Sequence, residues 1–215
     1  MPKVFSMIAI IDYKAGNLAS VSRAFSHINV SNIITNDIHI IESAERVVFP
    51  GVGAAGAAMR SLIGMGLDKA LKNAVDSGRP VLGICLGTQI ILKTSQENNT
   101  PCLGLIDGCA RAFAESFAAS GIAGLKIPHM GWNRISRRAD HPVFAGIQPT
   151  DEFYFVHSYY PSPDHASQVI ATTEYGIAFP SVIGAKNLVA TQFHPEKSGK
   201  PGLRMLKNFS EWNPC

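Results

Sequence analysis

Cys85 is the residue best placed to do chemistry. It lies in Arg79-Pro80-Val81-Leu82-Gly83-Ile84-Cys85-Leu86-Gly87-Thr88-Gln89, with a glycine two places to either side. The apolar run Val81 to Ile84 predicts a buried strand, and Leu86 through Leu92 has helical spacing. A G-x-C-x-G junction between strand and helix is the thiol form of a nucleophile elbow, a turn that lifts the reactive side chain out of the fold. Gly83 and Gly87 are expected because a Cβ at either place would collide where strand and helix converge. A helix N-terminus beneath Cys85 favours thiolate, and the amide of Leu86 can face a developing oxyanion. The competing reading is a core cysteine, the usual fate of a free thiol.

A second cluster, Gln192-Phe193-His194-Pro195-Glu196, follows the apolar strand Leu188 to Thr191. Proline pushes His194 toward extended geometry, so His194 and Glu196 are expected to project on the same side. A carboxylate so placed can fix the tautomer of an imidazole and stabilise its charged form. Alone, His-Pro-Glu reads as a polar turn; with a cysteine elbow upstream it completes a Cys85, His194, Glu196 triad.

Gly51-Val52-Gly53-Ala54-Ala55-Gly56 spells the G-x-G-x-x-G of dinucleotide sites. That fingerprint also needs an acidic residue about 20 positions on, at the end of the next strand. The nearest candidate, Asp68, falls in a helical pattern instead. The better use of Pro50-Gly51-Val52-Gly53 is a loop beside the elbow, with a backbone amide at Gly51 or Val52 completing an oxyanion hole. Gly51 and Gly53 are read as positions chosen for backbone conformations closed to other residues. No cofactor is expected.

The elements that must position these groups alternate strand and helix. Met7 to Tyr13, Ile33-Ile34 and Glu45 to Phe49 read as strands; Leu18 to Ile28 and Met59 to Val75 have helical spacing, the latter interrupted at Gly64 and Gly66. This predicts an α/β fold with a doubly wound, mostly parallel sheet, mixed in its second half, flanked by helices, with the site at the carboxyl ends of the strands. After Asn98, strands are expected at Trp132 to Ser136, Phe153 to Tyr160, Val169 to Thr173 and Leu188 to Phe193, then a closing helix from Pro201.

The totals agree with one domain spanning 1–215. The chain has 215 residues, 46% hydrophobic and only 16% charged, with a net charge of +3 too small to argue for nucleic acid or membrane. Cys85, Cys102, Cys109 and Cys215 have no zinc-like or disulfide-like spacing. No signal peptide or spanning segment is read, so the expected compartment is the reducing cytoplasm.

The two motifs together resemble the class I (triad) glutamine amidotransferases. Over the whole chain the resemblance is to the glutaminase subunits of imidazole glycerol phosphate synthase. It is carried by Ile11-Asp12-Tyr13, Gly16-Asn17, Pro50 to Ala54, Pro128-His129-Met130-Gly131-Trp132-Asn133, Phe153 to Tyr160, Glu196-Lys197-Ser198-Gly199 and Leu206 to Phe209. The chain departs from it at Thr88, where the family usually has methionine. It departs again at Ser95-Gln96-Glu97, which keeps only the second acid of a Ser-Glu-Glu stretch.

The resemblance implies hydrolysis of glutamine to glutamate and ammonia: attack by Cys85, proton transfer by His194, orientation by Glu196, and oxyanion binding by Leu86 and the Gly51-Val52 amides. It also implies that Gln89, Glu97, His157, Ser158 and Tyr159 hold the glutamine. The implied partner is a (β/α)8-barrel cyclase that receives the ammonia, with Gly16, Asn17, Met130 and Trp132 as interface candidates. An amidotransferase subunit serving a different synthase, a stand-alone thiol hydrolase, and a noncatalytic or nucleotide-binding module remain the alternatives.

Overall fold

The computed structural model of the chain describes residues 7–14 and 17–214; Gly16 and Cys215 therefore lie outside the described residues. The first half runs β1 (Ile8–Ile11), α1 (Leu18–His27), β2 (Asn32–Thr35), α2 (Ile38–Ser43), β3 (Arg46–Gly51), α3 (Ala55–Gly64), α4 (Leu67–Asp76), β4 (Val81–Cys85) and α5 (Leu86–Ile90). The second half runs β5 (Thr94–Ser95), β6 (Thr100–Pro101), β7 (Gly108–Ala112), α6 (Phe113–Ala119), β8 (His129–Arg134), β9 (Ser136–Arg137), β10 (Glu152–His157), β11 (Tyr159–Pro163), β12 (Val169–Tyr175), β13 (Ile177–Ala185), β14 (Leu188–Thr191) and α7 (Gly199–Glu211).

Among the described residues the main sheet has eight strands in the order β2-β1-β3-β4-β14-β13-β12-β9. From β2 to β14 the pairing is parallel, and β13, β12 and β9 continue antiparallel, so the expected mixed sheet forms. The central strands are buried on both faces, which is why they read as near-continuous apolar runs. Alternation still sorts them. Ile8, Ile10, Val48, Leu82 and Ile84 join a core with α1, α7 and Phe153, Phe155 and Phe193. Ala9, Ile11, Val47, Phe49 and Val81 join the opposite core with α3 and α4.

Several expected elements are divided or bounded differently: the run Trp132 to Ser136 splits between β8 and β9, which belong to different sheets. The run Phe153 to Tyr160 breaks at Ser158: β10 pairs with β8 as a separate two-stranded sheet, while β11 pairs with β7. Continuous apolar alternation cannot reveal that one stretch serves two sheets. The closing helix begins at Gly199, two residues before Pro201, and α5 ends at Ile90 rather than Leu92. Strands β7 and β13 and helix α6 come from segments whose small or mixed residues carry no clear period. No helix among the described residues is long and apolar enough to cross a membrane.

Glycine does what the elbow requires. A Cβ on Gly87 would lie 2.0 Å from the carbonyl oxygen of Phe49, and one on Gly83 would lie 2.9 Å from Ala190 Cβ. The first obstacle is backbone in a central strand and has nowhere to go. Gly87→Ala is therefore expected to destabilise the chain by about 3 kcal/mol or more, the upper end for overpacking. Gly64, at the end of α3 with open space around it, is the control. Its replacement by alanine should be neutral or stabilise by up to about 1 kcal/mol, and denaturant melts of both variants check the contrast.

Candidate active site

Cys85 closes β4 at φ 54°, ψ −108°, and α5 starts at the next residue. The positive φ is unusual for a residue with a side chain and turns the thiol away from the strand axis. Cys85 is buried, with a small exposed fraction on a cavity of about 350 Å³. The same cavity is lined by Val52, Leu86, Gln89, Glu97, Tyr159 and His194, among others. Its size is within the range of small-molecule sites.

His194 reaches the cavity from the end of β14. Its Nδ1 lies 2.7 Å from Glu196 Oε1, with both side chains almost wholly buried. His194 itself is extended, but Glu196 sits in the 3-10 turn Pro195–Lys197. The pair thus meets around a turn, not through the strand alternation expected from sequence. That turn is fixed from behind: His194 N donates to Tyr154 O at 2.9 Å, Tyr154 N donates to Ser198 Oγ at 3.0 Å, and Ser198 Oγ donates to His194 O at 2.6 Å.

Burial by itself would lower the pKa of His194, but Cys85 and then Glu196 outweigh it and hold the imidazole up at about 9. The charged imidazole is thereby favoured, while Nε2, the ring nitrogen away from Glu196, is buried with no hydrogen-bond partner among the described residues. Tyr13 is the opposite case. Its hydroxyl is buried with no hydrogen-bond partner among the described residues, and burial, then the charge of Cys85, pushes its ionisation far above the ordinary phenol range. Nothing in the sequence marked Tyr13 beyond its place in the Ile-Asp-Tyr motif.

The Gly51 expectation needs correction. Gly51 ends β3, opposite Cys85 in the parallel register, and its φ is not in the left-handed region. Glycine is required there for space: a Cβ would lie 2.0 Å from the Tyr13 hydroxyl and 3.1 Å from Leu86 Cβ. Gly53 does take φ 98°, with open surroundings. The first amide of α3, at Ala55, donates to Glu97 Oε2 at 2.6 Å. In a dinucleotide fold that helix end takes the pyrophosphate; here the chain's own carboxylate occupies it. Among the described residues no cluster of histidine, cysteine and acidic side chains could hold a metal ion.

The other predicted residues are distributed unequally. Gln89, Glu97, Ser158 and Tyr159 line the cavity. Gln89 Nε2 donates both to Tyr159 O at 2.9 Å and to Gln192 Oε1 at 3.1 Å. His157 also borders the cavity, but both its ring nitrogens are engaged by protein: Nδ1 lies 2.7 Å from Tyr159 O and Nε2 lies 2.9 Å from His129 Nδ1. Because a carbonyl can only accept, Nδ1 of His157 carries the proton, so Nε2 accepts from His129 Nδ1–H. His129 Nε2 in turn accepts from Asn133 Nδ2 at 3.3 Å. This buried chain fixes both tautomers, and burial lowers the pKa of His129 to about 4 and of His157 to about 3.

Thr88, fully buried, donates to Thr191 O at 2.5 Å, tying α5 to β14. Gln96 bridges Glu115 Oε2 and the amide of Ala112, and Asn98 and Asn99 follow with φ 54° and 50°. Asn17 is exposed ahead of α1, whereas Met130 and Trp132 are 62% and 55% exposed on one side of β8. Gln192, Pro128 and Lys197 carry no role in the sequence reading, yet the first contacts Cys85 and the other two border the cavity.

The histidines make opposite pH predictions. For His129 and His157 the folded pKa lies below the ordinary 6.5. Their neutral forms therefore contribute stability that is present above 6.5 and lost as pH falls toward the folded values. His194 lies above 6.5. Its contribution is complete below 6.5 and is lost as pH rises through about 9. Melting temperatures measured against pH should show that His129→Gln/His157→Gln flattens the acid slope, and that the gap between wild type and His194→Gln narrows on the alkaline side.

The chain is similar to known proteins over nearly its whole length. The family profile for glutamine amidotransferase class-I matches residues 9–212. The chain is 52% identical over 206 residues to the imidazole glycerol phosphate synthase subunit HisH of Nitratidesulfovibrio vulgaris, covering 96% of each chain. It is 45% identical to the protein of the same name from Aromatoleum aromaticum, over 97% of this chain and 100% of that one. Among solved structures it resembles a glutamine amidotransferase (TM-score 0.71, 16% identity, 95% and 97% covered). It also resembles a putative GMP synthase subunit from Thermoplasma acidophilum (TM-score 0.66, 19% identity, 96% and 93% covered), a likeness of fold. The chain belongs to the class-I glutamine amidotransferase family and, within it, to the HisH subunits of imidazole glycerol phosphate synthase.

Proposed function

We propose that the chain is the glutaminase subunit of a cytoplasmic imidazole glycerol phosphate synthase. It hydrolyses glutamine to glutamate and ammonia and passes the ammonia to a (β/α)8-barrel cyclase, which makes imidazole glycerol phosphate and AICAR ribonucleotide in histidine biosynthesis. The observation that carries the reading is the lifted Cys85 sharing a small cavity with a buried His194–Glu196 pair, in a chain about half identical to HisH subunits over its length.

Cys85 Sγ attacks the side-chain amide carbon of glutamine to give a tetrahedral intermediate. The amide of Leu86, at the first position of α5, and an amide of Gly51 or Val52 receive the oxyanion; each such donor contributes on the order of 3 kcal/mol to lowering the barrier. His194 takes the proton of the Cys85 thiol and delivers it to the departing ammonia, leaving a glutamyl thioester. Water then attacks the thioester with His194 as base, and glutamate leaves. Glu196 keeps the imidazole in the required tautomer and stabilises its charge. Gln89, Glu97, Ser158 and Tyr159 hold the amino acid, and His157 acts one layer behind them by fixing the Tyr159 carbonyl. Met130 and Trp132 offer an exposed apolar surface for the cyclase, with Asn17 and Gly16 as further candidates.

Cys85→Ser should abolish glutamine-dependent synthesis by the complex while leaving ammonia-dependent synthesis largely intact. A glutamine-analogue electrophile should label Cys85 and spare Cys102, whose thiol is pushed up to about 11 by burial, then by Cys109 and Glu97. Labelling that follows exposure alone would remove the assignment. Purifying the native complex and identifying the partner by mass separates this synthase from one with another acceptor.

A further inference from the structure

Gln192 is a wholly buried polar side chain to which the mechanism above gives no task. Burying an amide is costly unless its oxygen and nitrogen find partners. Gln192 Oε1 accepts from Gln89 Nε2 at 3.1 Å, and Gln192 Nε2 contacts Cys85 Sγ at 3.9 Å. The direction of this chain is fixed by its far end. The Tyr159 carbonyl can only accept, so the end of Gln89 that meets it at 2.9 Å is its NH2 group. The second proton of that group points to Gln192, which must therefore turn its oxygen toward Gln89 and its NH2 toward the sulfur. The backbone is fixed too: Gln192 N donates to Ser181 O at 2.8 Å, and Thr88 ties down the preceding carbonyl.

We infer that Gln192 is a positioning residue for the nucleophile, its amide N–H steadying the sulfur of Cys85 in the attacking orientation through a polarity imposed by Gln89. The inference rests on reading Cys85 as the nucleophile. A donor beside sulfur favours the anionic form over the neutral one, because hydrogen bonds to charged acceptors are the stronger kind. The contact is long at 3.9 Å, and a sulfur that gains charge during attack draws the N–H closer. Gln89 belongs both to this chain and to the cavity wall, so glutamine seated against Gln89 meets the same amide that orients Gln192.

The test uses the full chain with its cyclase partner and three variants: Gln192→Leu, Gln192→Glu and Cys85→Ser. The readouts are the rate of Cys85 alkylation by iodoacetamide at neutral pH and the kcat and KM for glutamine hydrolysis, with a thermal melt of each variant. In Gln192→Leu, alkylation and kcat should fall together by about tenfold to a hundredfold, the value of a hydrogen bond to a charged group, with little change in KM. Gln192→Glu keeps an oxygen for Gln89 but presents a carboxylate to the sulfur, and it should lose at least as much. A merely structural role predicts the reverse order, with Gln192→Glu near wild type; that order, or wild-type alkylation in Gln192→Leu, overturns the inference. If Gln192→Leu does not fold, Gln192→Glu decides alone, and unimpaired alkylation there overturns it. Glutaminase activity retained in Cys85→Ser would instead overturn the nucleophile reading itself.

Discussion

Cys85 stands in a backbone conformation that costs a residue with a side chain roughly 1–3 kcal/mol, and such strain persists only where the surroundings over-determine it. Here they do. Strand β4 is held between β3 and β14 by parallel ladders on both sides. Gly87 lets α5 close onto the Phe49 carbonyl, Gly83 lets β4 lie against Ala190, and the Thr88 hydroxyl binds the last carbonyl of β14. The thiol is lifted because three neighbouring elements leave the chain no other path. The same crowding makes Gly51 obligatory, since Tyr13 and Leu86 fill the space where its side chain would go.

Three histidines near one cavity titrate in different directions, and their partners explain why. His194 faces Glu196 and Cys85, so its charged form is favoured despite burial. His129 and His157 face each other, an amide and a carbonyl, so nothing balances a charge there and burial keeps them neutral. Environment, not residue type, sets which imidazole favours the charged form and which stays neutral.

The antiparallel β8–β10 pair joins the exposed surface to the cavity. Alternation along β8 sends His129 and Asn133 inward to the hydrogen-bonded chain and Met130 and Trp132 outward. Across the pair, Tyr154 packs its ring edge-on to Trp132 while its backbone holds His194. A binding event on the outer face of this pair therefore bears on an element bonded directly to His194.

Features whose cause is local are legible in the sequence. G-x-C-x-G defines an elbow because glycine alone tolerates the convergence of strand and helix. Apolar runs of the right length become β1, β3, β4 and β14, and His-Pro-Glu places a carboxylate within reach of an imidazole two residues away. Tertiary structure decided what depends on distant partners. Tyr13, Gly51 and Leu86 come together from three separate segments. Phe153 to Tyr160 divides between two sheets because each half finds a different neighbour. His157 engages both ring nitrogens with His129 and the Tyr159 carbonyl, and Gln192, an ordinary polar residue in the sequence, meets Cys85 only because β14 lies beside β4. Spacing along a chain encodes turns and periods; a hydrogen bond between residues a hundred positions apart is set by how the sheet is ordered.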